Sequence, residues 1–251
     1  MPDEITAIVE SLSDATTRTL GSRHYHAGSF HGVPVVAVFS GWGKVAAAAT
    51  TTQLIASCQA TQIVFTGVAG AVQHGSSIGD VVIGTELIQH DLDASPIFPR
   101  YEVPLLGKAL IATDAGLRGR LHEAAQEFVR QDLPVMVAQS ERDWFAIAAP
   151  KVIEGVIASG DQFFDSAQEI DDLRRRLPNV ACVDMEGAAV AQVCEEYSMP
   201  FAIVRTISDA ADENAVHDFP RFSREISGQY SLGILERFLQ IRIDFVQLRR
   251  N

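Results

Sequence analysis

Four short segments of this sequence end apolar runs with small, acidic or aromatic residues, and they hold the side chains best suited to chemistry. They are Thr66-Gly67-Val68-Ala69-Gly70, Ser159-Gly160-Asp161-Gln162-Phe163-Phe164, Val183-Asp184-Met185-Glu186-Gly187 and Thr206-Ile207-Ser208-Asp209. Asp209 follows the apolar run 201–207 and the hydroxyl of Ser208. A carboxyl at the end of a buried strand loses solvation, which raises its pKa and lets it keep a proton near neutral pH, as a general acid must. The alternative is an Asp that caps a turn. Glu186 opens the small-residue run Gly187-Ala188-Ala189-Val190-Ala191. An acid there either complements a helix dipole or accepts hydrogen bonds from hydroxyl groups of a ligand. The glycines of 66–70 either make a tight turn or let backbone approach a bound group. They lack the lysine of GxxxxGK[ST] and the full GxGxxG, so no nucleotide cofactor is indicated.

An α/β fold would bring these segments together. Apolar β-rich runs at 34–39, 62–66, 80–84, 152–159, 180–183 and 201–207 alternate with helical patterns at 44–58, 114–130, 166–177 and 186–197. Near-continuous apolar strands between helices indicate a central mixed, mostly parallel sheet covered on both faces, a three-layer α/β/α sandwich with ligands at the strand ends. Thr113 and Ser166 are the expected N-caps of their helices, and Pro178 and Pro200 follow the ends of the preceding ones. The stretch 222–249 has Ile226, Tyr230, Ile234, Phe238, Ile241 and Phe245 at helical spacing and reads as one long terminal helix packed on the core. The stretch 91–107, rich in Pro and aromatic residues, is the longest irregular loop and a candidate lid or oligomer contact. No repeat or flexible linker divides the chain, so 1–251 is expected to form a single domain.

Composition narrows the partners. With 32 acidic against 20 basic residues the formal charge is −12, which opposes binding to a phosphate backbone, and nucleic acid is not an expected partner. Cys58, Cys182 and Cys194 form no CxxC pair and read as small core residues in a reducing, cytoplasmic compartment. No apolar run is long enough to span a bilayer, and the opening residues lack the layout of a signal peptide, so no membrane association is expected. His90, Asp91 and Asp93 are metal-ligand types, but their spacing matches no zinc or calcium template, and no metal or other cofactor is expected.

Taken in order, SGWGKVAAA (40–48), TGVAGAV (66–72), GDVVIG (79–84), QHDLDA (89–94), SGDQFF (159–164), VDMEGAAVAQVC (183–194) and RTISDAAD (205–212) span most of the chain. This set resembles the family of 5'-methylthioadenosine/S-adenosylhomocysteine nucleosidases, within the purine nucleoside phosphorylase superfamily. The resemblance implies that Asp209 protonates N7 of adenine as the bond to C1' breaks, with Ser208 orienting it. It implies that Glu186 binds the ribose 2'- and 3'-hydroxyls, that Met185 packs beneath the sugar, that Phe163 stacks on adenine and that the Phe164 backbone binds the base edge. Val68, Ala69, Gly70 and Asp184 complete the expected pocket. The short acidic motif Met1-Pro2-Asp3-Glu4-Ile5 looks like the one that supplies a base for the attacking water, which makes Glu4 the second expected catalytic residue. A homodimer is implied, in which Phe98, Tyr101 and Pro104 of the 91–107 loop would wall an apolar 5' pocket, across a subunit interface or within the chain.

The sequence departs from the family in two places. The motif opens the sequence, so the apolar first strand that ordinarily precedes it is not found here, and open backbone edges with a loosely held Glu4 are expected. Val68 stands where such nucleosidases commonly have Ser, so a polar contact near the ribose or the water is missing. The reaction implied is hydrolysis of a 5'-modified adenosine to adenine and the modified ribose. Two alternatives are a phosphate-dependent purine nucleoside phosphorylase and a non-catalytic nucleoside-binding or storage protein on the same fold. Against phosphorolysis, 67–79 contains no Arg or Lys, only His74, and a bound dianion needs cations. Arg205 either assists an anion or is the buried partner of a carboxylate such as Asp184.

Overall fold

A computed structural model of the chain describes the backbone of residues 3–248 and the side chains of 4–241. Met1 and Pro2 of the acidic motif and Arg249 of the terminal helical run lie outside the described residues, as does the Phe245 side chain. The elements in order are α1 (Asp3–Glu10), β1 (Ser13–Leu20), β2 (Arg23–Phe30), β3 (Val33–Val38), α2 (Lys44–Ala56), β4 (Ile63–Ala71), β5 (Val81–Gln89), β6 (Ile111–Ala112) and α3 (Ala115–Glu127). A π-helical turn (Phe128–Asp132) leads into α4 (Leu133–Met136) and α5 (Gln139–Trp144). Then come β7 (Val152–Ser159), α6 (Ala167–Arg176), β8 (Val180–Asp184), α7 (Gly187–Glu196), β9 (Phe201–Asp209), α8 (Ala215–Glu225) and α9 (Ser227–Leu248).

The central sheet has the order β6-β5-β7-β8-β4-β9, and β9 also pairs with β5, so the long strands close on themselves. The pairs β4–β9, β5–β7 and β7–β8 are parallel, and β4–β8, β5–β9 and β5–β6 antiparallel. Closure explains why all nine residues of β9 are buried: both edges are paired and both faces are covered. Because side chains alternate along a strand, Val81 and Ile83 of β5 enter one core with Leu121, Phe128, Phe222 and Tyr230 and Val82 enters the other with Ala47, Val190 and Cys194, which Leu87 joins beyond the register shift between Gly84 and Leu87. The first core lies under α3, α8 and α9, the second under α2 and α7, which gives the expected three layers.

Several local expectations change. The terminal helical run is two helices, α8 and α9, with Ile226 between them. Thr113 does not cap α3; its hydroxyl donates to the Gly84 carbonyl at 2.7 Å, and Asp114 is the cap, accepting from the Leu117 amide at 2.8 Å. Ser166 does cap α6, its hydroxyl accepting from the Glu169 amide at 3.3 Å. The first three strands form a separate antiparallel meander, β1-β2-β3. Among the described residues β3 pairs only with β2, and β4 from Ile63 to Ala69 only with β9. No helix among the described residues is long and apolar enough to cross a membrane.

Candidate active site

β4, β8 and β9 end around one cavity of about 670 Å3, which β3 and α1 also line. β9 delivers Ser208 and Asp209, β8 with the start of α7 delivers Met185 and Glu186, β4 delivers Val68, Ala69 and Gly70, and the turn after β7 delivers Phe163 and Phe164. Glu4 of α1 lines the same cavity, so it joins the other expected residues there. Phe98, Tyr101 and Pro104 are not among the residues lining this cavity within a single chain. The Tyr101 hydroxyl instead accepts from Arg176 Nη1 at 3.2 Å, packed beside the third apolar cluster around Phe164 and Leu173.

Asp209 is 3 % exposed. Its Oδ2 accepts from the Ser208 hydroxyl at 2.7 Å and its Oδ1 from the Ala211 amide at 2.9 Å. Burial dominates and pushes the carboxyl above the usual Asp range, against the lowering effect of both hydrogen bonds and with help from the charges of Asp218 and Asp212. A Cβ at Gly70 would lie 3.2 Å from Asp209 Oδ1 and 3.0 Å from the Ala211 side chain, so glycine keeps the space in front of the acid open.

Glu186 stands at the N-cap position of α7, but its side chain caps nothing. Its Oε1 accepts from the Gly43 amide at 2.8 Å, across the cavity in the turn before α2. Burial, and then the charge of Asp184, raise its pKa. The side chain thus lines the cavity without making a cap hydrogen bond to α7.

Asp184 lines the cavity, but its oxygens are taken. Arg205 Nε donates to Oδ2 at 2.7 Å, the Ser159 hydroxyl donates to Oδ1 at 2.5 Å, and the Gly187 amide lies 3.1 Å from both oxygens. It is the post on which the start of α7, and so Glu186, is hung. Both members of the Asp184–Arg205 ion pair are 1 % exposed at the side chain, and the guanidinium also lies 4.2 Å from the Phe65 ring centroid. Of the two readings of Arg205, the structure favours the buried partner. Arg205 is also the one cationic side chain lining the cavity among the described residues; His74 is exposed and not part of the lining.

Several residues take structural roles that their types alone did not indicate. His90 is buried, stacks edge-on against Phe164 at 5.3 Å and packs against Gly160, where a Cβ would overlap its ring. Asp91 ties Lys44 Nζ at 2.6 Å and the Asp161 amide at 3.0 Å, joining α2 to the Phe163 turn. Asp93 accepts from Ser95 and pairs with Arg100, away from both. Among the described residues no three His, Cys, Asp or Glu side chains converge as a metal site. Trp42 and Phe219 line the cavity in edge-to-face contact at 5.7 Å, and Phe219 makes a second such contact with Phe163 at 5.7 Å. The only sequence signal for Trp42 was its place between two glycines in SGWGK.

Comparison with known proteins agrees with this geometry. Residues 1–240 match the family model described as the phosphorylase superfamily. A 5'-methylthioadenosine/S-adenosylhomocysteine nucleosidase of Bacillus subtilis (strain 168) is 33 % identical over 223 residues, 88 % of each chain. The crystal structure of the nucleosidase of the same name from Neisseria meningitidis, in complex with methylthio-immucillin-A, superposes with a TM-score of 0.82 at 30 % identity, covering 95 % of each chain. Futalosine hydrolase of Helicobacter pylori strain 26695 superposes with a TM-score of 0.80 at 32 % identity, covering 96 % of this chain and 94 % of that one. On the cavity, its carboxylates and these matches together, the chain belongs to the phosphorylase superfamily and, within it, to the 5'-methylthioadenosine/S-adenosylhomocysteine nucleosidases.

Proposed function

We propose that this chain hydrolyses the N-glycosidic bond of 5'-modified adenosines, 5'-methylthioadenosine and S-adenosylhomocysteine, releasing adenine and the 5-modified ribose. The observation that carries this reading is Asp209: a carboxyl 3 % exposed, raised in pKa by burial, opening onto the same cavity as Glu186, Met185 and Phe163. In this reading adenine lies against Phe163 and the Phe164 backbone, and the protonated Asp209 gives its proton to N7. The base leaves as neutral adenine, and positive charge builds on C1' and the ring oxygen. Glu186 accepts from the 2'- and 3'-hydroxyls and offsets that charge, with Met185 beneath the sugar. Glu4 takes the proton of the water that attacks C1'.

Water rather than phosphate is the nucleophile because the cavity offers no uncommitted cation among the described residues. Arg205 is held by Asp184 and Phe65, and a phosphate dianion would have to be desolvated against Glu186 and Asp184. The chain acts as a cytoplasmic homodimer in this reading. The 91–107 loop supports a contact role, with Ile97 82 % and Leu105 95 % exposed, and Phe98, Tyr101 and Pro104 would then help wall a neighbouring 5' pocket. The test is purified protein with 5'-methylthioadenosine in phosphate-free buffer. Prompt adenine release is the expected result; release only with added phosphate, or binding without turnover, overturns the hydrolytic assignment.

A further inference from the structure

The start of α2 is held by two carboxylates that come from other parts of the chain. Gly43, at its N-cap position, has no side chain to satisfy the amides that open the helix. The Gly43 amide donates to Glu186 Oε1 at 2.8 Å, and the Lys44 amide donates to Asp161 Oδ1 at 3.0 Å. The Lys44 side chain turns onto the same two segments. Its Nζ donates to Asp91 Oδ1 at 2.6 Å and lies 3.7 Å from Asp161 Oδ2, with the lysine side chain 18 % exposed. Asp91 Oδ2 in turn accepts from the Asp161 amide at 3.0 Å. Lys44, Asp91 and Asp161 therefore form a closed ring of contacts that begins and ends at the first residue of α2. A Cβ at Gly43 would lie 3.2 Å from Asp161 Oδ1, so glycine there allows the two turns their close approach.

We infer that Lys44 is a positioning residue for the proposed hydrolysis: with Asp91 and Asp161 it fixes the ribose acceptor Glu186 relative to the adenine platform at Phe163. The inference rests on the proposed binding of the ribose hydroxyls at Glu186 and of adenine at Phe163. Lys44 is one residue from the amide that holds Glu186, and Asp161 is two residues from Phe163. The ring thus ties the segment behind the sugar to the segment behind the base. A nucleoside spans both, so slack between them costs alignment at C1' even where each half still binds. A partly exposed ion pair contributes little to stability. Misplacing a group by about 1 Å, in contrast, can cost on the order of 100-fold in rate. Position, more than folding, is what this ring of contacts supplies.

The test measures adenine release from 5'-methylthioadenosine, together with Tm, in Lys44→Met, Asp91→Ala, their combination and Lys44→Arg. Each of the first two should lower kcat/KM by roughly tenfold to 100-fold while lowering Tm by less than about 4 °C. The combination should cost little more than either alone, and Lys44→Arg should stay within about threefold of the wild type. In a Glu186→Ala background Lys44→Met should cost less than about threefold, because the acceptor it positions is gone. A loss of the same size in both backgrounds, or wild-type kcat/KM in Lys44→Met, overturns the inference. If the wild type releases no adenine, the hydrolytic reading has failed, and dissociation constants from calorimetry carry the test. Lys44→Met should then weaken 5'-methylthioadenosine about threefold or more relative to adenine. Equal weakening of the two compounds, no weakening, or no binding of either overturns the positioning role by itself.

Discussion

Ser208→Ala tests the acid assignment through the environment of Asp209 rather than by removing it. The Ser208 hydroxyl donates to Asp209 Oδ2 at 2.7 Å in a site 3 % exposed, and its oxygen lies 3.4 Å from the Ala69 carbonyl. A donor to a carboxylate favours the ionised form, so this bond holds the pKa down against burial, which pushes it up. A hydrogen bond to a charged group contributes about 1.5–3 kcal/mol. At about 1.4 kcal/mol per pH unit, its loss should raise the Asp209 pKa by about 1–2 units. In the proposed mechanism protonated Asp209 is the active form, so the alkaline limb of kcat/KM should move to higher pH by that amount. The assay is adenine release from 5'-methylthioadenosine between about pH 5 and 10, because kcat/KM reports the ionisations of the free enzyme. An alkaline limb that stays put or moves down would refute the assignment.

Three further outcomes follow from the same geometry. Glu186 has its pKa raised by burial and by Asp184, so the folded state holds its proton more tightly than the unfolded chain, and stability falls as pH rises from the ordinary carboxylate range through the raised value. Glu186→Gln should therefore have the higher Tm at neutral pH, with the advantage vanishing near pH ~4, below the unfolded Glu pKa; a wild type more stable at pH ~7 contradicts this. Arg205→Met leaves Asp184 charged and unpaired at 1 % side-chain exposure, and should cost about 3–5 kcal/mol in urea unfolding, whereas a loss below about 1 kcal/mol would mean that the pair is not structural. Gly160→Ala puts a Cβ into the His90 ring and should displace the turn carrying Phe163 and Phe164, raising KM severalfold, with Gly160→Ala/His90→Ala recovering much of it. No recovery in the double variant would separate His90 from the turn.

The parallel strands were legible because they carry near-continuous apolar runs: the run 152–159 is β7, and 201–207 lies within the fully buried β9. β1 and β2 were not anticipated. β1, SDATTRTL, is exposed at all but its last position and packs no continuous apolar face, so periodicity had little to register. Closure of β5 on β9 and the π-helical turn after α3 depend on tertiary contacts that no local pattern encodes. Asp209 and Glu186 stood out as acids close after apolar runs, whereas Met185 and Phe163 were expected at the site only through the family resemblance. The roles of Trp42, Phe219 and His90 were hidden, since an aromatic or a lone His looks the same in a core as on a cavity wall until its neighbours are known. The role of Asp184 was blurred with binding; its saturation by Arg205, Ser159 and Gly187 identifies it as a positioning residue.

The central claim is that protonation of adenine by Asp209 lets water, and not phosphate, take C1'. Its most direct measurement is mass spectrometry of the sugar released from 5'-methylthioadenosine in 18O-labelled water with phosphate also present. The account predicts free 5-methylthioribose carrying the label at C1 from the wild type, with the rate falling about 100-fold or more in Asp209→Asn. A sugar 1-phosphate, or a labelled product formed by Asp209→Asn at the wild-type rate, would contradict it.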